Sequence, residues 1–502
     1  MAIATGIIAE YNPFHRGHQY HIEETKRRTN AKYIVVAMSG DFVQRGEPAL
    51  FSKALRARMA LLSGADLVLE LPAPFATGSA EDFALGAVSL LEGLGCVSFL
   101  SFGSESEDLG ALTEAARILA EEPPSFSSLL KEKLRLGFSY PQARMAALKC
   151  SSLSEKGLKA IQEPNGLLGT EYLKAMLRQK SAMEPIAVRR QGLGYHNLEI
   201  PDISPYRRPL ALKDDENLHS TGKTNGPNQP SGSYRSNYSS SGYGYDCING
   251  HGSGYGSGHS NGHSYASASA LRKAVTESLP QIRQASPGPA FKASQSLLSQ
   301  IPESLHPFYK AGSISENKEN GFNEGFFPLC PDDFSALLTC RILECMEKGG
   351  DFQEFSDISP ELEGRLKGHG LSFLSFSERA KALKTRQYTY TRASRGLLHI
   401  LLGIRREDMD AWRRSGCPYA RILGFKRQSA PLLRLIKEQG TIPLIAKAAD
   451  APENLSGASL RLWDRSLYAS HVYAAILHQT YASSPSFPKG RENEYSRPLV
   501  IL

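Results

Sequence analysis

Short apolar runs alternate with amphipathic stretches through the first hundred residues, and that alternation limits what the chain can fold into. Tyr33-Ile34-Val35-Val36-Ala37-Met38 is continuous and β-branched, which suits a strand buried on both faces. Gly6–Ala9, Asp66–Leu71 and Val97–Phe102 read the same way. Helical spacing fills the gaps, from about Gly17 onward and over Ala54–Ser63 and Glu81–Leu94. Leu55, Met59 and Leu62 form one apolar stripe; Phe83, Ala87, Leu90 and Leu91 form another. Strand–helix–strand units of this length predict right-handed crossovers and a mostly parallel sheet in an α/β domain. Such sheets bind ligands beyond the carboxyl ends of their strands. Three strands end there in polar turns: Ser39-Gly40-Asp41, Glu70-Leu71-Pro72 and Gly103-Ser104-Glu105.

The first strand runs into Asn12-Pro13-Phe14-His15-Arg16-Gly17-His18, with a helical pattern beginning at Gly17. A helix N-terminus presents unpaired N–H groups, and two imidazoles beside it can donate to phosphoryl oxygens. The string resembles the HxGH signature of nucleotidyltransferase folds, which bind ATP and cleave between its α- and β-phosphates. Catalysis there is mainly electrostatic: His15 and His18 are the expected stabilisers of charge on the α-phosphate, with magnesium helping to neutralise departing pyrophosphate. A second phosphate-facing helix start is expected at Ser267-Ala268-Ser269-Ala270-Leu271-Arg272, which offers Ser267, Ser269 and Arg272. No GxSxG, P-loop or HExxH string argues for other chemistry.

At 502 residues the chain is long enough for two or three domains. Its seven cysteines are widely spaced and contain no CxxC pair, so thiols in a reducing cytoplasm are the simplest reading. Neither a basic leader nor a long apolar span is visible, and no membrane association is expected. Net charge is +7, and it is uneven: Lys384–Lys437 holds thirteen Lys or Arg against three Asp or Glu. Such an excess is what a polyanion-binding surface needs. From 213 to 264 Ser, Gly, Asn, Tyr and His dominate, and this tract is expected to be a disordered insertion. Its histidines are irregularly spaced, which argues against a metal site. An ATP-binding α/β domain over 1–290, a linker over 291–325 and a mainly α-helical basic domain over 326–502 complete the expected organisation. Within that last part, helices are expected near Asp333–Lys348, Pro360–Lys367, Phe376–Arg386, Thr391–Leu402 and Pro431–Gln439.

Longer strings in fixed order carry a more specific resemblance. Gly6–His18, Ser39–Pro48, Gly64–Pro72, Phe102–Glu105, Pro164-Asn165, Arg189–His196, Lys384–Arg395 and Arg421–Phe425 together resemble the bacterial tRNA(Met) cytidine acetate ligase family. That resemblance implies a Rossmann-like nucleotidyltransferase domain followed by a helical tRNA-binding part. It implies an enzyme that converts ATP and acetate to acetyl-adenylate, then acetylates N4 of the wobble cytidine of elongator tRNA(Met). The implied ATP site comprises Ile7, Ile8, Ala9, Glu10, Tyr11, Asn12, Pro13, Phe14, His15, Arg16, Gly17, His18, Gln19 and Tyr20, with Gly103, Asn165 and the pair Arg189 and Arg190, of which Arg190 is favoured. Lys384, Arg386, Arg392 and Arg395 are implied tRNA contacts, and no protein partner is implied. Two positions depart from the family pattern: Arg16 and Gly166 each stand where asparagine is usual. HxGH by itself equally fits a nucleotidyltransferase acting on a small phosphorylated metabolite, which would leave the basic C-terminal half without a role.

Overall fold

A computed structural model describes residues 3–151, 153–191, 200, 265–284, 294–310, 326–484, 487 and 493–502. The tract expected to be a disordered insertion lies outside the described residues, as does the 311–325 part of the expected linker.

The expected strands form the centre of the sheet. They are β1 (Ala4–Ala9), β2 (Tyr33–Ser39), β5 (Leu67–Leu71) and β6 (Val97–Ser104), all mutually parallel. Between β2 and β5 lies a two-stranded hairpin, β3 (Phe42–Val43) and β4 (Glu47–Pro48). β7 (Glu184–Arg189) adds to β6 in parallel. Helices α1 (Arg16–Thr29) and α2 (Lys53–Leu62) make the first two crossovers.

Alternate residues of β2 serve opposite faces, as period-two geometry requires. Ile34, Val36 and Met38 join a core with Ile7, Leu55, Met59 and Leu271, whereas Val35 and Ala37 join one with Leu69, Phe75 and Leu91. Each such aliphatic side chain contributes roughly 1.5–3 kcal/mol when fully buried.

The second core does not stop at the sheet. It continues through Phe334, Leu338, Leu397, Trp412 and Trp463, on helices that follow residue 326. Those helices are Ser335–Glu347, Pro360–Gly368, Phe376–Leu383, Tyr390–Leu402, Arg406–Ser415, Ala430–Gln439 and the long Gly457–Tyr481. The continuation is mainly helical, as expected, but it also returns strands to the sheet. β8 (Ala420–Phe425) pairs antiparallel with β5, and β9 (Leu444–Ile445) and β10 (Val500–Ile501) each flank β8. The order is β10-β8-β5-β2-β1-β6-β7.

The expected linker differs too. Over its described residues the helices Gln295–Ser299 and His306–Lys310 form, and Leu297, Ile301, Leu305 and Tyr309 are buried. Its composition is polar, but these four apolar side chains fall on one side and pack against the α2 layer.

Candidate functional site

β1 delivers the histidine loop to the carboxyl edge of the sheet, where β2, β5 and β6 also end. His15 is the N-cap of α1, and the cap is reciprocal. His15 Nδ1 accepts the Gly17 N–H at 3.0 Å, and His18 Nδ1 accepts the His15 N–H at 3.3 Å. An imidazole nitrogen that accepts must be unprotonated, so the cap fixes the proton on Nε2 of both rings. The rings stack with centroids 3.8 Å apart. A Cβ on residue 17 would stand 2.9 Å from His15 Cε1, so glycine is what lets the ring fold back over the first turn.

The expectation of free helix amides is corrected here. Gly17 N–H is occupied by His15, and Arg16 N–H donates to the Gln300 carbonyl at 2.9 Å. The groups actually presented are side-chain donors. His15 Nε2 is buried and has no partner among the described residues. Burial, then the Arg190 and Arg272 cations, push His15 down to about 3; burial and the neighbouring His15 push His18 well below its ordinary range. Both rings are neutral N–H donors near pH 7.

The other expected residues converge unequally. Arg272 donates to the Asn12 carbonyl at 2.7 Å and to Ser269 Oγ at 3.0 Å, which ties the second helix start (Ala268–Glu277) to the histidine loop. Ser267 is buried and caps that helix through Ala270 N–H. Across the edge, Arg190 Nη1 donates to Asn165 Oδ1 at 2.8 Å, and Asn165 Nδ2 donates to Glu105. Gly166 N–H reaches the other Glu105 oxygen at 3.1 Å, so the glycine at that position keeps the turn through its amide. Gly103 lies under the Arg190 stem. Arg189 ends β7, exposed and outside this network, so the structure brings Arg190 and not Arg189 beside the histidines.

Within the loop, Ile7 and Ile8 are buried in β1, Ala9 ends it, and Tyr11 and Phe14 pack against the His18 ring. The Asn12–Pro13 peptide is cis. Arg16 pairs with Glu303 at 3.7 Å, Gln19 donates to Glu23, and Tyr20 is half-buried. Glu10 accepts the Gln44 N–H at 2.9 Å.

Two contributors were missed by the sequence reading. His21 continues the column one turn on, with Nε2 3.0 Å from Ser101 Oγ; its three-residue spacing from His18 was the available signal. Burial, followed by Arg190, pushes it down to about 4. Arg56 is fully buried and donates to the carbonyls of Glu10, Ser39, Gly40 and Phe51, clamping the ends of β1 and β2. Nothing in its local sequence distinguishes it from a surface arginine on α2.

The helix expected over Phe376–Arg386 ends at Leu383, so Lys384 and Arg386 are exposed in the loop before the helix Tyr390–Leu402, on which the Arg392 guanidinium lies 4.8 Å from the Tyr388 ring centroid. Arg395 is instead committed to Asp357 at 2.8 Å.

Fold and site together define a class. A family model described as HIGH Nucleotidyl Transferase matches residues 1–206 and 238–486. The chain is 32% identical over 499 residues to the tRNA(Met) cytidine acetate ligase of Acetivibrio thermocellus, covering 99% of each chain. It is 33% identical over 494 residues to the ligase of the same name from Clostridium kluyveri, covering 96% of this chain and 98% of that one. The crystal structure of Thermotoga maritima TmcAL bound with alpha-thio ATP superposes over the whole of both chains with a TM-score of 0.73 at 25% identity. The chain belongs to the tRNA(Met) cytidine acetate ligase family.

Proposed function

We propose that this chain is an ATP-dependent ligase that acetylates N4 of the wobble cytidine of elongator tRNA(Met). The observation that carries this reading is the near full-length identity to ligases of that name, which runs through both the histidine edge and the basic helices. In the first half-reaction an acetate oxygen attacks the α-phosphorus, and pyrophosphate leaves. Charge grows on oxygens that the Nε2–H groups of His15 and His18 are built to meet, with Arg272 and Arg190 at either flank. In the second, the cytidine amine displaces AMP from the acetyl carbon. Ile7–Tyr20, Gly103, Asn165 and Arg190 form the ATP site in this reading, and Ser267 and Ser269 hold Arg272 toward it.

Magnesium enters with the triphosphate. Imidazole N–H, guanidinium and amide donors fit phosphate oxygens, whereas a hard dication wants several carboxylate or carbonyl oxygens. Among the described residues no group of three His, Cys, Asp or Glu is arranged to hold an ion, so the residues here position the phosphates and leave the cation to them. No described helix is long and apolar enough to cross a membrane, and a cytoplasmic place beside its tRNA fits the reaction.

The test is mass spectrometry of tRNA(Met) digests after incubation with the purified chain, ATP and acetate. N4-acetylcytidine at the wobble position, formed with AMP and pyrophosphate, is expected. Turnover of ATP with no acetylated nucleoside would overturn the reading.

A further inference from the structure

The turn that follows β6 carries a carboxylate bonded to Asn165, and through it to Arg190. Ser104 ends β6; its carbonyl accepts the Arg190 N–H at 2.9 Å, and its Oγ accepts the Ser106 N–H at 3.3 Å. Glu105 stands between those contacts, half-buried. One Glu105 oxygen accepts from Asn165 Nδ2. The other accepts the Gly166 N–H at 3.1 Å, at the start of the helix Pro164–Gln179. That start has little room to shift, because a Cβ on Gly166 would stand 1.9 Å from the Ala160 carbonyl oxygen. On its other side Asn165 Oδ1 accepts from Arg190 Nη1 at 2.8 Å.

Donors and acceptors in this row run one way. A carboxylate only accepts and a guanidinium only donates, so the amide between them has one orientation, Nδ2 to Glu105 and Oδ1 to Arg190. A glutamine in place of Glu105 breaks the row however it turns. Its NH2 group meets the Gly166 N–H, or it meets Asn165 Nδ2, or Asn165 turns and points Nδ2 at Arg190. Each arrangement leaves two donors face to face.

We propose that Glu105 is a positioning residue of the ATP site: it orients the Asn165 amide, which in turn holds the Arg190 guanidinium toward the triphosphate. This rests on the reading of Asn165 and Arg190 as ATP contacts given above. The charge of Glu105 by itself would repel a triphosphate. Charge and positioning therefore predict opposite signs when the carboxylate is removed.

The experiment is isothermal titration of the full chain with ATP, beside urea unfolding of the same variants. Glu105→Gln is expected to weaken ATP binding about 10-fold, although it removes a negative charge. Asn165→Asp sets a second carboxylate against Glu105 and should weaken binding as well. The two exchanges together restore the row, because the introduced amide can accept from Gly166 and donate to the introduced carboxylate, which accepts from Arg190. That double variant should bind ATP more tightly than either single variant. With Arg190→Ala already present, adding Glu105→Gln should change ATP affinity by less than about 2-fold. Unaltered or tighter ATP binding by Glu105→Gln would overturn the assignment. So would losses that simply add in the double variant, or that follow lost urea stability without rescue; Glu105 would then be a strut of the helix start. If Arg190→Ala binds ATP as the wild type does, the reading of Arg190 as an ATP contact falls, and this assignment with it. If Arg190→Ala weakens binding and Glu105→Gln does not, only the assignment falls.

Discussion

His15 and His18 each serve two ends, and the two nitrogens of each ring divide the work. Nδ1 closes the α1 cap, and Nε2 is left as a donor. Replacing His18 by alanine removes one preorganised donor and should lower acetate-dependent pyrophosphate exchange about 100-fold. Affinity for tRNA(Met), read by filter binding, should change little; parallel loss of both would point to a broken cap. The low protonation ranges of these rings also set a pH dependence. In the unfolded chain a histidine titrates near 6.5, whereas His15 and His21 in the fold titrate at about 3 and about 4. Between those values the unfolded chain binds more protons, so stability is complete above about pH 6.5 and falls as pH drops toward 4. Thermal unfolding followed at pH 7.5 and pH 5.0 should show that fall, and His21→Asn should make it shallower.

At the scale of elements, the β3–β4 hairpin matters more than its length suggests. Gly46 holds φ +77°, and a Cβ there would stand 2.6 Å from Arg395 Cα. Left-handed backbone alone costs a non-glycine residue roughly 1–3 kcal/mol. Gly46→Ala should therefore lower urea-unfolding stability by at least about 1 kcal/mol and weaken tRNA(Met) binding more than ATP binding, because it is the contact with the basic helix that must open. Isothermal titration with each ligand separately would check that order. The helix Gln295–Ser299 and its neighbours make a comparable point. Gln300 caps Arg16 N–H with its carbonyl and receives Ala266 N–H on its side chain at 2.7 Å, so a stretch composed like a linker buttresses both helix starts of the site.

At the scale of the whole molecule, a buried charge cluster joins distant parts of the chain. Lys53 Nζ lies 3.0 Å from both Glu70 and Glu494, and Arg421 donates a hydrogen bond to Glu494 and forms an ion pair with Glu70 at 3.1 Å. Arg497 pairs with Glu494 at 3.1 Å. Lys53, Arg421 and Arg497 pull the Glu494 carboxyl far below its ordinary range against the cost of burial. Removing one member leaves the others as uncompensated buried charge, so Glu494→Ala should cost about 3–5 kcal/mol in urea unfolding. The strands at the centre of the sheet, the crossover helices and the histidine turn were legible in the sequence because each is written in local periodicity within a dozen residues. The five helices expected after residue 326 were legible for the same reason, and the ordered strings supplied the family. What local pattern could not say was which distant segments share a surface. β8 carries an ordinary short apolar run, and only antiparallel register with β5, together with the Lys53–Glu70–Arg421–Glu494 cluster, makes it part of the sheet. Arg190 and Arg189 are adjacent in sequence, and only the packing of β7 beside β6 turns one of them to Asn165. Residue order alone was enough for the local elements, the HxGH turn and the family. Long-range packing was needed for the partners of Arg190 and Arg272, because those contacts join residues tens to hundreds of positions apart.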